Sequence, residues 1–426
     1  MRIKLLTNLC LLLVVTAITI NSQEQPKDAR YYESTAMKAY EQKDFAAFLS
    51  NMKLASELRP NHPRLMYNLA AAYAVNAKPA EAIAVLRKAA TLGLVLSIEK
   101  DTDFDQLRTL ADFKDVQELF AKNRAPKISS VPAFTVREKG LIPESVAHDP
   151  ATGMFYLSSV YKRKILSVDK AGDVRVFAGD TDGLWSVLGM KVDPARHLLW
   201  VCTTAHPQMA SFNKDDAGKT ALLKYDLRTG KLLGRYEPAD KTRPHWLGDL
   251  AINSQGDVFA TDSATPAVYM LKHGQDQLQA LVEGQPFVSL QGLDFTADEA
   301  KLFVADYSKG IFVVDLASKQ VRSLDSDFTM LGIDGLYSYK GTLLAVQNGV
   351  NPQRVVRMSL NKEGTRVVKF ETIEANNPVF DEPTLGVIVK DHFYFVANSQ
   401  WGAIDRTGQL APEDKLRDPT VLKLKL

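Results

Sequence analysis

QGLDFTADEAKLFVADY, residues 291–307, reads as an apolar strand, a polar turn and a second strand rich in β-branched and aromatic residues. The same unit returns as ESVAHDPATGMFYLSS from Glu144, LGMKVDPARHLLWVCTT from Leu188, GDLAINSQGDVFATDS from Gly248, IDGLYSYKGTLLAVQNG from Ile333 and EPTLGVIVKDHFYFVANS from Glu382. A further strand or two follows each. Short strands recurring at a near-constant interval are the signature of propeller blades. With Glu144, Gly189, Asp249, Gln291, Asp334 and Glu382 taken as equivalent first-strand positions, the intervals are 45, 60, 42, 43 and 48 residues. That suits four-stranded blades with one insertion, near 205–221 in the second. No recurring Trp-Asp dipeptide points to the WD40 type. A six-bladed β-propeller is therefore expected over 132–426. The C-terminal TVLKLKL and the segment PAFTVRE before the first blade are strands without an attached hairpin. Both are expected in the sixth blade's sheet, because a propeller avoids an open seam by pairing such ends.

Residues 31–123 read differently, being Ala-rich with a 3.6-residue apolar period. Ala55 and Ala89 stand 34 residues apart at the same phase of two helix-turn-helix units. Leu69, Ala70, Tyr73, Ala82, Leu86 and Ala89 occupy the packing positions of a tetratricopeptide repeat, with Tyr40, Phe48, Met52, Ala55 and Pro60 in the preceding unit. The segment resembles two such repeats. Each repeat buries its apolar face only against a neighbour, so DTDFDQLRTLADFKDVQELFAKN is expected to cap them and 124–131 to act as a linker. The fold class is thus multidomain, α followed by all-β. Two readings of the helical part stand side by side: a groove that recruits a protein partner, and a packing module that braces the propeller.

A composition of 46% apolar and 24% charged residues supports a sizeable core, and a net charge of +2 supplies no electrostatic reason to bind nucleic acid. Residues 1–22 place Arg2 and Lys4 before a short apolar run, the pattern of a secretory signal. The expectation is an exported protein, periplasmic or secreted, with no membrane span once the signal is cleaved; an uncleaved N-terminal anchor is the alternative. Of the two cysteines, Cys10 would leave with the signal, and Cys202 alone allows no intrachain disulfide.

In a hairpin the start of the first strand lies beside the end of the second, so two residue sets share one mouth of the ring. Glu144, Asp249, Gln291, Asp334 and Glu382 form the first set. The second comprises Ser159, Thr204, Asp262, Asp306, Asn348 and Asn398. Carboxylates and amides from separate blades would converge as hard oxygen donors suited to Ca²⁺. Asp262, Asp306 and Asn398 are read as turn caps, whereas Glu144 and Asp334 interrupt apolar strand starts and are read as metal ligands. His206 in CTTAHPQM and His245 in RPHWLGD lie on mouth-side loops as candidate general bases, with solvated loop histidines the alternative. Trp246 and Trp401 are candidate pocket walls or seam covers. AGKT at Ala217 lacks the upstream glycine of a phosphate loop, and there is no His-Glu-x-x-His, Cys-x-x-Cys or Gly-x-Ser-x-Gly. ATPase, zinc protease and α/β-hydrolase chemistries are excluded on those grounds.

PESVAHDPATGMFYL, QGLDFTADEAKLFVAD and IDGLYSYKGTLLAV resemble blades of the SMP-30/gluconolactonase/LRE-like superfamily, over the stretch from about Val131 to the C-terminus. The resemblance implies a divalent metal, usually Ca²⁺, on the axis, held by a Glu, two Asn and an Asp. Glu144 matches that Glu. Asp334 matches that Asp, which in lactonase members is also the base or nucleophile. Gln291 and Gly248 stand where the family has its Asn ligands, and Asp249 or Glu382 would have to supply what Gly248 lacks. The implied activity is metal-assisted hydrolysis of lactones or related esters, with a small-molecule substrate. The alternative is a non-enzymatic ligand-binding or protein-interaction scaffold.

Overall fold

Strand 130–135 pairs antiparallel with strand 420–425, which pairs in turn with 392–396 and then 386–389. N-terminal and C-terminal chain thus share the sixth blade, and the ring closes as the two unattached strands require. Five further sheets follow in chain order, with first strands Val146–His148, Ser186–Asp193, Leu247–Ile252, Leu290–Phe295 and Ile333–Tyr339, all antiparallel save for a short parallel strand, Asp325–Ser326, at the outer edge of the fifth. The architecture is a six-bladed β-propeller preceded by helices. The computed structural model describes residues 27–426, so the expected signal at 1–22 lies outside them. Among the described residues no helix is long and apolar enough to cross a membrane.

The core sits between blades rather than within them. Phe259 and Val268 of the third blade pack with Leu293, Val304 and Phe312 of the fourth. Leu336, Ala345 and Val356 of the fifth pack with Phe303 and Ile311 of the fourth, and Val146 and Leu157 of the first with Val396 and Val421 of the sixth. A blade on its own would leave its apolar faces in water, so the ring is stable only as a whole. Near the axis the first strands approach so closely that a Cβ on Gly292 would lie 2.5 Å from the Asp334 carbonyl oxygen of the next blade. Only glycine allows that approach.

Ahead of the ring, α1 (Ala29–Glu41), α2 (Phe45–Leu58), α3 (Pro63–Val75), α4 (Pro79–Thr91) and α5 (Ala111–Arg124) pack in sequence. Asp28 and Asp44 cap α1 and α2 by accepting from Tyr31 N and Ala47 N, and prolines open α3 and α4. Phe104 and Leu107, on the short turn between α4 and α5, are fully buried against Leu86, Phe113 and Val116. Tyr40 donates to Asp103 at 3.0 Å, and Tyr67 donates to Asp101.

The helices are fastened to the propeller at two places. The buried Glu374 carboxylate accepts from Ser129 N at 2.6 Å, Ser130 N at 3.0 Å, Ser130 Oγ at 2.9 Å and Asn377 Nδ2 at 2.6 Å, which pins the linker. Val95 N donates to Asn351 O at 2.7 Å, Asn61 Nδ2 to Asp327 O at 3.0 Å, and Arg59 to Ser308 O. Val350 of the fifth blade belongs to the helical core itself.

Deleting residues 420–426 removes the strand between 130–135 and 392–396 and opens the ring. The expected outcome is loss of the cooperative unfolding transition in urea followed by circular dichroism. A truncated chain unfolding cooperatively at the wild-type midpoint would show that closure does not hold the ring together.

Candidate axial site

Strand pairing sets which residues reach the mouth. Leu247 pairs with Asp262 and Leu250 with Ala260; Leu290 pairs with Asp306 and Leu293 with Val304; Ile333 pairs with Gln347 and Leu336 with Ala345. In each of these three blades a bulge lies just inside the strand start, and the residue after the first paired position is Gly248, Gln291 or Asp334. The second blade, with Val187 on Thr203 and Met190 on Val201, places Leu188 there. Gly189 and Asp249 therefore each lie one residue beyond the position that Gln291 and Asp334 occupy, an offset that lies in the sequence rather than in the bulge, since all four blades carry the same bulge. Glu382 belongs to the loop before its strand, with φ +59°.

Glu144, Asp249, Gln291, Asp334 and Glu382 nevertheless line one cavity of about 300 Å³, together with Tyr307, Asn348, Trp246, Trp401, Leu188 and Leu385. A larger hollow of about 690 Å³ beside Trp200, Lys224 and Tyr236 is lined by none of these carboxylates. Asp334 Oδ2 accepts from Asn348 Nδ2 at 2.8 Å, Asn348 Oδ1 accepts from Tyr307 OH at 3.0 Å, and Glu144 Oε2 accepts from the Trp401 indole at 2.7 Å. Glu382 Oε2 accepts from Gly402 N at 2.9 Å, and the Gln291 amide nitrogen donates to Ser289 Oγ at 3.4 Å. Glu144 and Asp334 thus each keep a second carboxylate oxygen, and Gln291 its one amide oxygen, with no protein donor among the described residues.

Burial, followed by repulsion from Asp334, raises the Glu144 carboxyl well above the usual range, and the Trp401 bond only partly offsets this. Burial pushes Asp334 up to about 7, against the opposing Asn348 bond and with the Asp249 and Glu382 charges adding to the rise. Asp249 is also raised by burial, opposed by Lys191, whose Nζ lies 3.9 Å away. Both Asp249 oxygens are buried and without a hydrogen bond. Unsatisfied carboxylate oxygens at closed quarters favour a cation or a proton. Among the described residues, no three His, Cys, Asp or Glu side chains gather as a metal-binding group. The donors fit a hard divalent cation only as a mixed shell, two carboxylates completed by amide oxygen or water.

The two candidate histidines are placed apart from these oxygens. His206 stacks on Trp246, centroids 4.4 Å apart, and on Trp401 at 5.7 Å, and burial lowers it to about 4. Its Nδ1 accepts from Gln208 N at 3.2 Å, while Nε2 is buried without a partner. His245 lines a different hollow, with Nδ1 2.6 Å from Asp262 Oδ2 and Nε2 2.8 Å from Asp240 O. The second set splits as its types suggest. Asp262 accepts from Trp246 N, Ala264 N and Thr265 N, Asp306 from Val288 N, Ser289 N and Ser308 N, and Asn398 from Thr420 N. Tyr307 is the lining residue that sequence reasoning missed; its place just after the end of the strand in FVADY was the available signal.

No protein-family model matches the chain, and no curated protein matches it. Among solved structures it is similar to a gluconolactonase from Xanthomonas campestris, at 16% identity and TM-score 0.48 over 70% of this chain and 99% of that one. It is also similar to virginiamycin B lyase from Staphylococcus aureus, at 12% identity and TM-score 0.47 over 70% and 98%. A luciferin-regenerating enzyme matches at 12% identity and TM-score 0.46 over 71% and 94%. Likenesses at this level say nothing about activity.

The raised carboxyl of Asp334 has a definite sign in stability. Between its ordinary 3.8 and about 7 the folded state holds a proton that the unfolded chain has released, so stability falls as pH rises through that window. Metal-free protein is expected to melt at higher temperature at pH 5 than at pH 8, with Asp334→Asn flattening the difference. An equal pH dependence in wild type and variant would refute the assignment.

Proposed function

We propose that the axial cavity is the active site of an exported, metal-assisted hydrolase of lactones or related small esters, with a Ca²⁺-type ion as cofactor. The observation that carries this reading is the pair of buried carboxylates, Glu144 and Asp334. They come from different blades, each is oriented by one hydrogen bond, and each has its other oxygen left for a ligand. Glu144, Gln291 and Asp334 would hold the ion, with Asp249 and Glu382 balancing charge from farther out. A bound divalent cation supplies Lewis-acid polarisation of the acyl oxygen and relieves the repulsion among the carboxylates. Asp334, held in place by Asn348, would take a proton from the attacking water. Trp246 and Trp401 form flat walls against which a ring can lie. His245 has both ring nitrogens engaged and His206 is covered by two indoles, so neither is assigned the base.

The helical part fits the bracing reading better than the peptide groove. The starts of α1 and α3, and of α2 and α4, are each 34 residues apart, which supports two tetratricopeptide-like units with α5 as cap. The chain's own segment 101–107 covers α3 through Phe104 against Tyr67 at 5.7 Å and through the Tyr40 and Tyr67 hydroxyls. A peptide would have to displace it.

Ca²⁺ in excess is expected to raise the unfolding temperature, since a ligand at a hundred times its Kd adds about 2.7 kcal/mol. Asp334→Asn should abolish that shift and lower lactone hydrolysis by about 10²-fold or more. If Ca²⁺ and chelator leave the melting curve unchanged and no lactone is turned over, the hydrolase reading fails and the scaffold reading replaces it. Deleting residues 31–123 should lower the propeller's solubility and melting temperature without losing a binding partner in pull-down. A soluble truncation that loses a companion would establish docking instead.

A further inference from the structure

Two propeller loops touch the helices and the axial cavity at once. Tyr307 lines the cavity while the next residue, Ser308, accepts from Arg59 of the segment after α2. In the loop 347–353, Asn348 lines the cavity, Val350 lies in the helical core, and Asn351 O accepts from Val95 N. Gln353 in the same loop accepts from Glu382 N at 3.3 Å. Tyr307, Asn348 and Asp334 form one hydrogen-bonded chain, at 3.0 and 2.8 Å, so residues that meet the helices also hold the carboxylate.

Arg354, which ends that loop, is only 1% exposed. Its Nε donates to Gln347 Oε1 at 2.6 Å, and its Nη1 donates to Leu92 O at 3.1 Å and Gly93 O at 3.3 Å, the carbonyls at the C-terminus of α4. Its guanidinium lies 5.1 Å from the Phe370 ring centroid, and Nη2 has no partner. Among the described residues no carboxylate pairs with it. The negative end of the α4 dipole is the counter-charge that the fold provides. Gln347 in turn donates to Thr329 O at 3.0 Å and Leu331 O at 2.7 Å, just ahead of Asp334. Apolar side chains would serve simple adhesion as well, whereas a buried arginine satisfied partly by the helix carbonyls is at ease only when the helices are docked.

We propose that the helical module is a positioning element of the axial site: docking of the α4 C-terminus on Arg354 orders the loop 347–353 and thereby holds Asn348 on Asp334. The proposal rests on the cavity's being the functional site, and it makes Arg354 a positioning residue. Anything that loosens α4 from the propeller, a bound partner included, then alters the site from outside it.

Gly93→Ala tests this from the helical side. Gly93 has φ +73°, and a Cβ there would lie 2.7 Å from Arg354 Nη1, so the change disturbs the seat without altering the propeller sequence. Arg354→Met tests it from the other side, and Met52→Ala, in the α1–α3 core, is the control. The full chain labelled with ¹⁵N-asparagine reports the Asn348 side-chain amide directly, and hydrogen exchange at Val95 N reports docking. Both seat variants are expected to speed exchange at Val95 and at the Asn348 side chain together, each by at least tenfold, with Met52→Ala changing neither. Should Arg354→Met fail to fold, Gly93→Ala decides. Exchange at Val95 that rises while Asn348 stays as in the wild type, or Asn348 changing with Val95 unmoved, would overturn the proposal. The readout needs neither metal nor turnover, so its failure is distinguishable from failure of the hydrolase reading.

Discussion

Closure of the ring is the constraint on which everything else depends. Strand 420–425 lies between 130–135 and 392–396, so backbone hydrogen bonds join the two ends of the propeller in one sheet. Among the described residues no disulfide assists, since Cys202 is a buried free thiol. Because each apolar core lies between neighbouring blades, opening one seam exposes the flanking cores and loosens the register of the first strands. The oxygens of Glu144, Gln291 and Asp334 come from blades one, four and five, and they share a cavity only while the ring is closed.

The cavity is where the fold works against its own stability. Several carboxylates are buried together, and burial dominates the upward shift of Glu144, Asp249 and Asp334, with repulsion from neighbouring carboxylates adding to it at Glu144 and Asp334. Lys191 is held between Asp249 and the Tyr337 ring, 4.8 Å from its centroid, and relieves part of that charge on one side. Glu374 shows the contrast, since it too is buried, yet its carboxylate accepts four hydrogen bonds. Electrostatic stress concentrated in one cavity is what a binding or catalytic site requires.

The interface between helices and propeller has two characters. At the linker, the Glu374 carboxylate gathers the Ser129 and Ser130 amides and the Ser130 hydroxyl, which ties chain to sheet. At the C-terminus of α4, Arg354 reaches across to carbonyls far away in sequence. The first contact fixes attachment, whereas the second connects the helices to the loop that carries Asn348.

The amino-acid sequence by itself determined the number of blades, the helical segment and the pairing of the chain ends, because strand alternation, helical period and turn residues are local properties repeated along the chain. It also picked out Glu144, Gln291 and Asp334, since a polar residue at an apolar strand start stands out in a linear pattern. Tertiary structure alone decided the rest. Strand pairing put Asp249 and Gly189 one residue out of step with Gln291 and Asp334, which the apolar pattern does not reveal because a glycine adjoins each of these positions, before Asp249 and after Gln291. His206 and His245 read alike in sequence, yet one is stacked between indoles and the other is held by Asp262. The link from Gly93 through Arg354 to Asn348 joins chain segments about 260 residues apart, a contact that exists only once loop entropy has been overcome by packing of the whole ring.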